Sequence, residues 1–190
     1  MKLFRFIKIE PIIAFILLIL LLPFLLLVAL IIKIETRGNV LFWSRRYGKR
    51  KKLFFMPKFR SMVTDTPIAS TQTLKKPEQY ITKVGSFIRK TSIDEIPQLW
   101  SIVMGKMSFI GPRPLLYTEK KLLSEREKFN GNNLNPGITG WAQVNGRDNN
   151  SPQKKIEHEK FYLDNKSINL DFKILLKTIT IVFNFKNIAH

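Results

Sequence analysis

The chain of 190 residues is long enough for one domain of ordinary size together with an additional segment. It contains no cysteine, which excludes disulfides, zinc–thiolate sites and thiol nucleophiles, and its two histidines, His158 and His190, are far apart, which argues against a histidine-based metal cluster. The formal net charge is +18, and residues 1–60 alone contain 13 Lys or Arg against 2 Asp or Glu. Such a field attracts nucleic acid, acidic lipid headgroups or phosphorylated substrates, and composition does not choose among them.

The first predicted element is an uncharged, aliphatic segment from Pro11 to Ile32 in which 18 residues are Leu, Ile, Val or Phe. These side chains favour the bilayer by roughly 5–11 kcal/mol, and a helix of this length measures roughly 33 Å, enough to cross a hydrocarbon core of about 30 Å. Pro23 predicts a kink at its centre, because proline has no N–H and crowds the carbonyl of Ile19. Both flanks are basic, and the positive-inside tendency keeps both cytoplasmic. The residues alone leave open a bent helix that enters and leaves by one leaflet and a kinked helix that spans the membrane.

A β-hairpin and a short helix are predicted next. Val40 to Phe59 contains two strand-like runs on either side of a basic stretch around Gly48. That basic turn is interpreted either as a solvated loop or as a contact for anionic headgroups. Residues 62–79 are polar and predict a loop, and Tyr80 to Lys90 predicts a short helix.

A second helix is predicted from Ile93 to about Met104, and its first turn carries two adjacent carboxylates, Asp94 and Glu95. Ser92 and Glu95 fit a capping box, with Ser92 as the N-cap residue. A helix N-terminus favours an ionised carboxylate or a bound phosphate. An anionic oxygen nucleophile beside a phosphate site is what phosphoryl transfer requires. The same sequence pattern more commonly only caps a helix, so the pair by itself supports both interpretations.

The C-terminal half is predicted to be helical, apart from one loop. Helices are expected over residues 115–129, 156–165 and 171–185, and residues 130–140, rich in Asn, Gly and Pro, predict a loop. The last helix is amphipathic, so it either packs on the domain or lies flat in the headgroup plane. No recognised nucleic-acid-binding module or periodic basic–aromatic pattern occurs, and we expect no nucleic-acid partner.

Five sequence blocks, in this order, resemble one family: the bacterial sugar transferases, or monotopic phosphoglycosyl transferases, which start surface-glycan assembly on a polyprenyl carrier. The blocks are Lys58–Met62, Arg89–Leu99, Met107–Pro114, Pro136–Arg147 and Tyr162–Asp171. With the apolar segment, the resemblance covers nearly the whole chain. Five ordered blocks at compatible spacing are more specific than any single short motif.

The resemblance implies an enzyme that transfers a phosphosugar from a UDP-sugar to polyprenyl (undecaprenyl) phosphate, releases UMP and leaves a polyprenyl-diphosphate-linked sugar. This is the first membrane step in the assembly of a capsule, exopolysaccharide, O-antigen or glycoprotein glycan. The resemblance further implies Mg²⁺, a covalent aspartyl-phosphosugar intermediate, a re-entrant helix, and a location at the cytoplasmic face of the bacterial inner membrane. Neither the sugar, the glycan pathway nor the oligomeric state follows from the sequence.

The resemblance also assigns site residues. Asp94 is the expected nucleophile, Glu95 is its partner, and both are the expected Mg²⁺ ligands. The expected phosphate- or substrate-binding residues are Lys58, Arg60, Arg113, Gln143 and Arg147. Arg113 stands between two prolines that stiffen its backbone, which suits bidentate phosphate recognition. The rival hypothesis, a non-catalytic basic protein that binds membrane surfaces, explains the charge and the apolar segment but not Asp94, Glu95 and Arg113 in one neighbourhood.

The predicted fold is α+β and mainly helical. Residues 1–36 are expected to form a membrane-inserted helix with basic flanks, kinked at Pro23. Residues 37–190 are expected to form a compact cytoplasmic catalytic domain with a small β-hairpin and amphipathic interfacial helices. Two positions depart from the family pattern: Leu22 precedes Pro23 where many relatives have serine, and Glu159 replaces a common aspartate, so Glu159 is not predicted as a site residue.

Overall fold

The computed structural model describes residues 9–67, 76–146 and 150–183. The helices of this part of the chain are α1 (Ile9–Glu35), α2 (Lys83–Lys90), α3 (Leu99–Val103), α4 (Lys120–Glu127), α5 (Trp141–Val144), α6 (Pro152–Asp164) and α7 (Ile168–Phe183). The strands are β1 (Leu41–Tyr47), β2 (Leu53–Phe59), β3 (Ser108–Ile110) and β4 (Gly137–Thr139). Short 3₁₀ turns occupy Lys49–Lys51, Pro77–Gln79, Ile93–Gln98 and Gly131–Asn133. The prediction of a mainly helical α+β chain is confirmed.

Helix α1 is long and apolar enough to cross a membrane, and most of its surface is not covered by protein. Its buried residues are Ala14, Val28 and Ile32, whereas large side chains such as Leu20 and Ile34 are mostly exposed. A helix in the core of a water-soluble domain would be mostly buried, so this surface suits lipid.

Both halves of α1 nevertheless pack on the same domain. Before Pro23, Ala14 belongs to a buried cluster with Ile102 and Met107. After Pro23, Val28 belongs to a second cluster with Ile88. The covered stripe therefore continues past the proline, and the helix lies along the domain on either side of it.

Two carboxylates near the ends of α1 bond to backbone groups of the domain. Glu10 accepts a hydrogen bond from the Phe109 N–H at 3.3 Å. Glu35 accepts one from the Val84 N–H at 3.0 Å, at the start of α2 where backbone donors have no partner inside the helix. The start and the end of α1 are thus both attached to the domain.

Strands β1 and β2 form the predicted antiparallel hairpin. Its register pairs Ser44 with Met56 and Arg46 with Phe54, so these side chains share one face, and Lys58 lies further along it. Met56 and Phe54 are buried on that face. The basic turn between the strands is confirmed as a 3₁₀ turn.

The segment that carries the two adjacent carboxylates differs from the expected single α-helix. It is a 3₁₀ helix over Ile93–Gln98 that continues as α3. The expected capping box is wrong, because Ser92 has a left-handed backbone (φ 58°) and its side chain makes no capping bond. The Glu95 N–H bonds to the Ser92 carbonyl at 3.1 Å instead, the i→i+3 pattern of a 3₁₀ turn. Pro97, which has no N–H, lies within this helix and cannot extend an α pattern.

The loop expected over residues 130–140 contains a strand. Strands β3 and β4 pair in parallel, Ser108 with Gly137 and Ile110 with Thr139. The pairing requires close backbone contact: a Cβ atom on Gly137 would lie 2.1 Å from the Gly111 nitrogen. Sequence periodicity does not reveal a three-residue strand with a distant partner.

Helices α6 and α7 pack through a third buried cluster that contains Val144, Tyr162 and Ile174. The Tyr162 hydroxyl donates a hydrogen bond to Asp171 at 2.8 Å. On the other side of α7, Phe172, Leu176 and Ile179 are exposed. The predicted amphipathic character of this helix is confirmed, with one face on the domain and an apolar face left open.

Candidate active site

A cleft of about 1400 Å³ opens between the inner face of the hairpin, the Ile93–Gln98 turn and the C-terminal helices. One part of its wall is polar and contains Asp94, Glu95 and Lys58. Another part is apolar, where Leu21 of α1 and Ile181 of α7 line it. The same cavity therefore joins a charged region to the membrane helix.

Asp94 lies in the polar wall and is only 8% exposed. Burial raises the pKa of its carboxyl to about 6; Lys58 and Arg89 oppose that rise, and Glu95 adds to it. At neutral pH the carboxylate is still mainly ionised, as the sequence predicted. Because it is buried, however, the carboxylate is poorly solvated. A poorly solvated anion is more reactive toward an electrophile than one surrounded by water.

Glu95 forms an ion pair with Lys58, whose Nζ lies 2.5 Å from Oε1 of Glu95. The pair is partly buried, and it links the 3₁₀ turn to strand β2. Two residues 37 positions apart in the sequence are thus in direct contact. Lys58 serves both carboxylates, since its charge also stabilises ionised Asp94.

Gln143 and Arg113 line the same cleft from two other elements. The side-chain oxygen of Gln143, in α5, is buried without a hydrogen-bond partner among the residues that the structure describes. Water or a bound group that enters the cleft supplies the donor for such an acceptor. The Arg113 side chain is exposed, and its carbonyl accepts a hydrogen bond from Arg126 Nη2 at 2.7 Å.

The arginine that orients this loop is part of a buried ion pair. Arg126 donates from Nε to Glu159 at 2.6 Å, and a second bond joins Arg126 Nη2 to the other carboxylate oxygen. Both side chains are buried and border the cleft. Glu159 was not predicted as a site residue; it contacts Arg126 and through it supports Arg113.

Arg60 also lines the cleft, and its guanidinium makes structural hydrogen bonds. Its guanidinium donates to the carbonyl groups of Arg37, at 2.9 Å, and Thr36, at 3.1 Å, and to the Thr36 hydroxyl at 2.6 Å. It therefore caps the C-terminal end of α1, where carbonyl groups lack helical partners. The phosphate contact of Arg60 stays a prediction.

Two predicted residues, Arg147 and Pro23, remain to be placed. Arg147 lies outside the described residues. Pro23 lies within α1, exposed and two residues from Leu21 at the cleft.

Two arginines at the cleft were missed as site residues, Arg89 and Arg46. Arg89, at the end of α2, precedes Asp94 in the same sequence block, and its charge stabilises the ionised form of Asp94. Arg46 was assigned to the basic turn, which was interpreted either as a solvated loop or as a contact for anionic headgroups. The period-two alternation of a strand, counted from Lys58 across the hairpin, would have placed it on the inner face.

Asp94 and Glu95 are the adjacent carboxylates of the cleft. Among the described residues, no group of three or more acidic or histidine side chains is arranged to hold a metal ion. Mg²⁺ is usually bound by one or two carboxylates together with substrate phosphates and water. The pair therefore fits a Mg²⁺ ion that shares its coordination with a diphosphate substrate.

The chain is similar to known proteins over most of its length. The family model for bacterial sugar transferases matches residues 4–185. The chain is 41% identical over 149 residues to the uncharacterized sugar transferase EpsL of Bacillus subtilis, covering 78% of this chain and 72% of that protein.

Two longer relatives have names that state a reaction. One is the UDP-N-acetylgalactosamine-undecaprenyl-phosphate N-acetylgalactosaminephosphotransferase of Aeromonas hydrophila, 38% identical over 86% of this chain and 40% of that protein. The other is the undecaprenyl-phosphate glucose phosphotransferase of Komagataeibacter xylinus, 40% identical over 83% of this chain and 32% of that protein. The chain thus spans less than half the length of these two relatives. It belongs to the bacterial sugar transferase family.

Proposed function

We propose that this protein transfers a phosphosugar from a UDP-sugar to undecaprenyl phosphate, releasing UMP and forming an undecaprenyl-diphosphate-linked sugar. The observation that carries the proposal is the buried carboxylate of Asp94 in a cleft with cationic side chains at one part and the membrane helix at another. The longer relatives are named as enzymes that act on undecaprenyl phosphate, and these names support the same reaction.

In the proposed mechanism, an oxygen of ionised Asp94 attacks the β-phosphorus of the UDP-sugar. The bond from that phosphorus to the bridging oxygen breaks, and UMP leaves with the electron pair. An oxygen of undecaprenyl phosphate then attacks the same phosphorus and releases the Asp94 carboxylate. Poor solvation of Asp94 helps the first attack, because little water has to be removed from the nucleophile.

The surrounding side chains have distinct tasks in this mechanism. Lys58 and Arg89 stabilise the anionic form of Asp94 and approach the phosphate that it attacks. Gln143 supplies a polar group to the sugar nucleotide, and Arg113 and Arg147 bind phosphate oxygens. Asp94 and Glu95 would hold Mg²⁺, which would supply positive charge to neutralise the diphosphate.

We further propose that α1 is re-entrant and that the catalytic domain lies on the cytoplasmic face of the bacterial inner membrane. Support comes from the packing of both halves of α1 on one domain and from the attachment of both its ends to that domain. The exposed apolar face of α7 would lie at the same interface. The lipid acceptor would then reach Asp94 without leaving the membrane.

The test is UMP release by the purified full chain in detergent, with undecaprenyl phosphate, Mg²⁺ and a panel of UDP-sugars. The wild type should release UMP with at least one sugar, and Asp94→Asn should lower release by more than about 1,000-fold. Asp164→Asn is the matched control, because Asp164 is exposed and pairs with Lys160 at the end of α6. Its activity should equal that of the wild type.

A second measurement tests the intermediate. Without the lipid acceptor, the wild type should gain the mass of one phosphosugar, and peptide mapping should place it on Asp94. Full activity of Asp94→Asn would rule out this nucleophile. If the wild type binds anionic vesicles but turns over no UDP-sugar, the alternative of a non-catalytic membrane-surface binding protein is favoured.

A further inference from the structure

Arg46 lies on the inner face of the hairpin, on the wall of the cleft. Its neighbour in sequence, Arg45, lies on the opposite face of the strand; it also borders the cleft, and its guanidinium lies 5.7 Å from the centre of the Tyr117 ring. The strand alternation therefore places the two adjacent arginines on opposite faces, and Arg46 shares its face with Lys58, the partner of Glu95.

Two hydrogen bonds hold the Arg46 guanidinium in place. Its Nε donates to the Ser44 hydroxyl at 2.9 Å, and its Nη1 donates to the Pro114 carbonyl at 3.0 Å. Among the described residues, its second terminal nitrogen, Nη2, has no hydrogen-bond partner. The guanidinium is thus oriented before any ligand binds, which reduces the entropy lost on binding.

Arg46 carries its charge without forming an ion pair to any carboxylate in the described part of the chain. Burial, followed by the nearby charge of Arg113, lowers the pKa of Arg46 to about 10, although Glu119 and Glu95 oppose this. The side chain remains protonated at neutral pH. Arg46 bonds to the residue that follows Arg113, and both arginines line the cleft, so an anion that binds between their guanidinium groups is stabilised by both.

The charges around the two carboxylates fall into two groups. Lys58, which pairs with Glu95, lies at one end of the inner face of the hairpin, and Arg46 lies toward the other end, where it bonds to the carbonyl of Pro114, next to Arg113. A sugar nucleotide contains two linked phosphates. If the attacked phosphate lies at Asp94, the other phosphate extends past Glu95 toward the arginine pair.

We propose that Arg46 is a catalytic residue which, together with Arg113, binds the phosphate that remains on the leaving nucleoside monophosphate. The inference rests on the proposed function. As the bond to the β-phosphorus breaks, its electron pair passes to an oxygen of the nucleotide phosphate, and the two guanidinium groups stabilise the added negative charge. Arg46 therefore binds UMP and assists its departure, and it does not bind the lipid phosphate.

The first experiment measures UMP binding to the full chain in detergent by calorimetry. Arg46→Gln should raise the Kd of UMP by about 10- to 100-fold, the loss expected for a charge-assisted contact. Arg50→Gln is the matched control, because Arg50 makes the same charge change from the exposed hairpin turn. Its Kd should stay within about twofold of the wild-type value.

The second experiment uses the wild type, so that it does not depend on the folding of a variant. Phenylglyoxal modifies accessible arginines, and mass spectrometry locates them. UMP should protect Arg46 and Arg113 but not Arg50, and undecaprenyl phosphate should not protect Arg46.

The outcomes separate the two levels of the proposal. If the wild type transfers sugar phosphate but UMP leaves Arg46 unprotected, or if Arg46→Gln binds UMP as Arg50→Gln does, the role of Arg46 is refuted. Protection of Arg46 by undecaprenyl phosphate would assign it to the acceptor and also refute it. If the wild type transfers no sugar phosphate, the proposed function itself is wrong.

Discussion

Asp94 shows how a reactive residue can reduce the stability of the fold that contains it. In water its carboxyl would have a pKa near 3.8, and in the cleft burial raises this value to about 6. The folded protein therefore holds the proton more tightly than the unfolded chain does. Ionising the buried group above pH 6 therefore costs folding free energy, at the residue proposed as the nucleophile.

Replacing Asp94 by asparagine should therefore stabilise the protein at neutral pH. Below pH 3.8 the Asp94 carboxyl of the wild type is protonated in both the folded and the unfolded state, and the cost of burying its charge is absent. It grows between pH 3.8 and 6 and reaches about 3 kcal/mol above that range. We expect denaturant unfolding of both proteins at pH 4 and pH 8 to show that the free energy of unfolding of Asp94→Asn, relative to that of the wild type, is larger at pH 8. A difference that does not vary with pH would contradict this account.

Arg60 provides a second test at the residue scale. If it caps α1, Arg60→Gln should lower the free energy of unfolding by about 1.5–3 kcal/mol, the usual loss for hydrogen bonds from a charged donor. The KM for the UDP-sugar should stay close to the wild-type value. A large rise in KM without loss of stability would instead support the phosphate contact that the sequence predicted.

At the scale of elements, the ion pair between Arg126 and Glu159 joins α4 to α6 and supports the loop that carries Arg113. Neither charge is exposed to water. A buried ion pair adds little to the free energy of unfolding compared with apolar side chains of similar size. Removing one partner, however, leaves an uncompensated buried charge. The pair is therefore best explained by its position beside the cleft.

Glu159→Ala should destabilise the protein by about 3–5 kcal/mol, because it leaves the buried guanidinium of Arg126 without its carboxylate partner. The double variant Arg126→Met, Glu159→Leu should recover most of this loss. It should not recover activity, because it lacks the guanidinium that donates to the Arg113 carbonyl. Denaturant unfolding and UMP release, measured on both variants, separate the two effects. Equal stability of the single and double variants would contradict the argument.

At the scale of the whole molecule, the position of α1 decides how the chain meets the membrane. An apolar helix that crossed the bilayer would leave the domain at one end. Here both halves of α1 contact the domain, through clusters containing Met107 and Ile88. The exposed remainder of the helix faces away from the domain, where lipid would cover it.

The absence of cysteine allows a direct test of this topology. In Lys2→Cys and Asn39→Cys the introduced thiol is the only one, and the two positions flank α1. In intact spheroplasts a membrane-impermeant maleimide should label neither variant, and in inverted vesicles it should label both. Labelling of Lys2→Cys from outside the spheroplasts would establish a spanning helix.

The elements that the sequence predicted well are those whose signals are local. The hairpin, α2, α6 and α7 each follow from the periodicity of apolar residues within a few turns or strand lengths. The parallel pair β3 and β4 was missed, because three residues carry no period and the partner lies 29 positions away at Gly137. Likewise, Arg46 and Glu159 could not be assigned from composition alone, since each acts through neighbours distant in sequence.

The sequence by itself determined the apolar helix, the identity of the two acidic residues and the family resemblance, because hydrophobicity and motif spacing are properties of consecutive residues. The tertiary structure decided which basic residues meet those acids. It placed Lys58 against Glu95, turned Arg46 toward the cleft and used Arg60 to cap α1. The physical reason is that charge alone attracts an anion wherever it lies, whereas burial and neighbouring donors, which depend on the fold, determine which charge is available to a ligand.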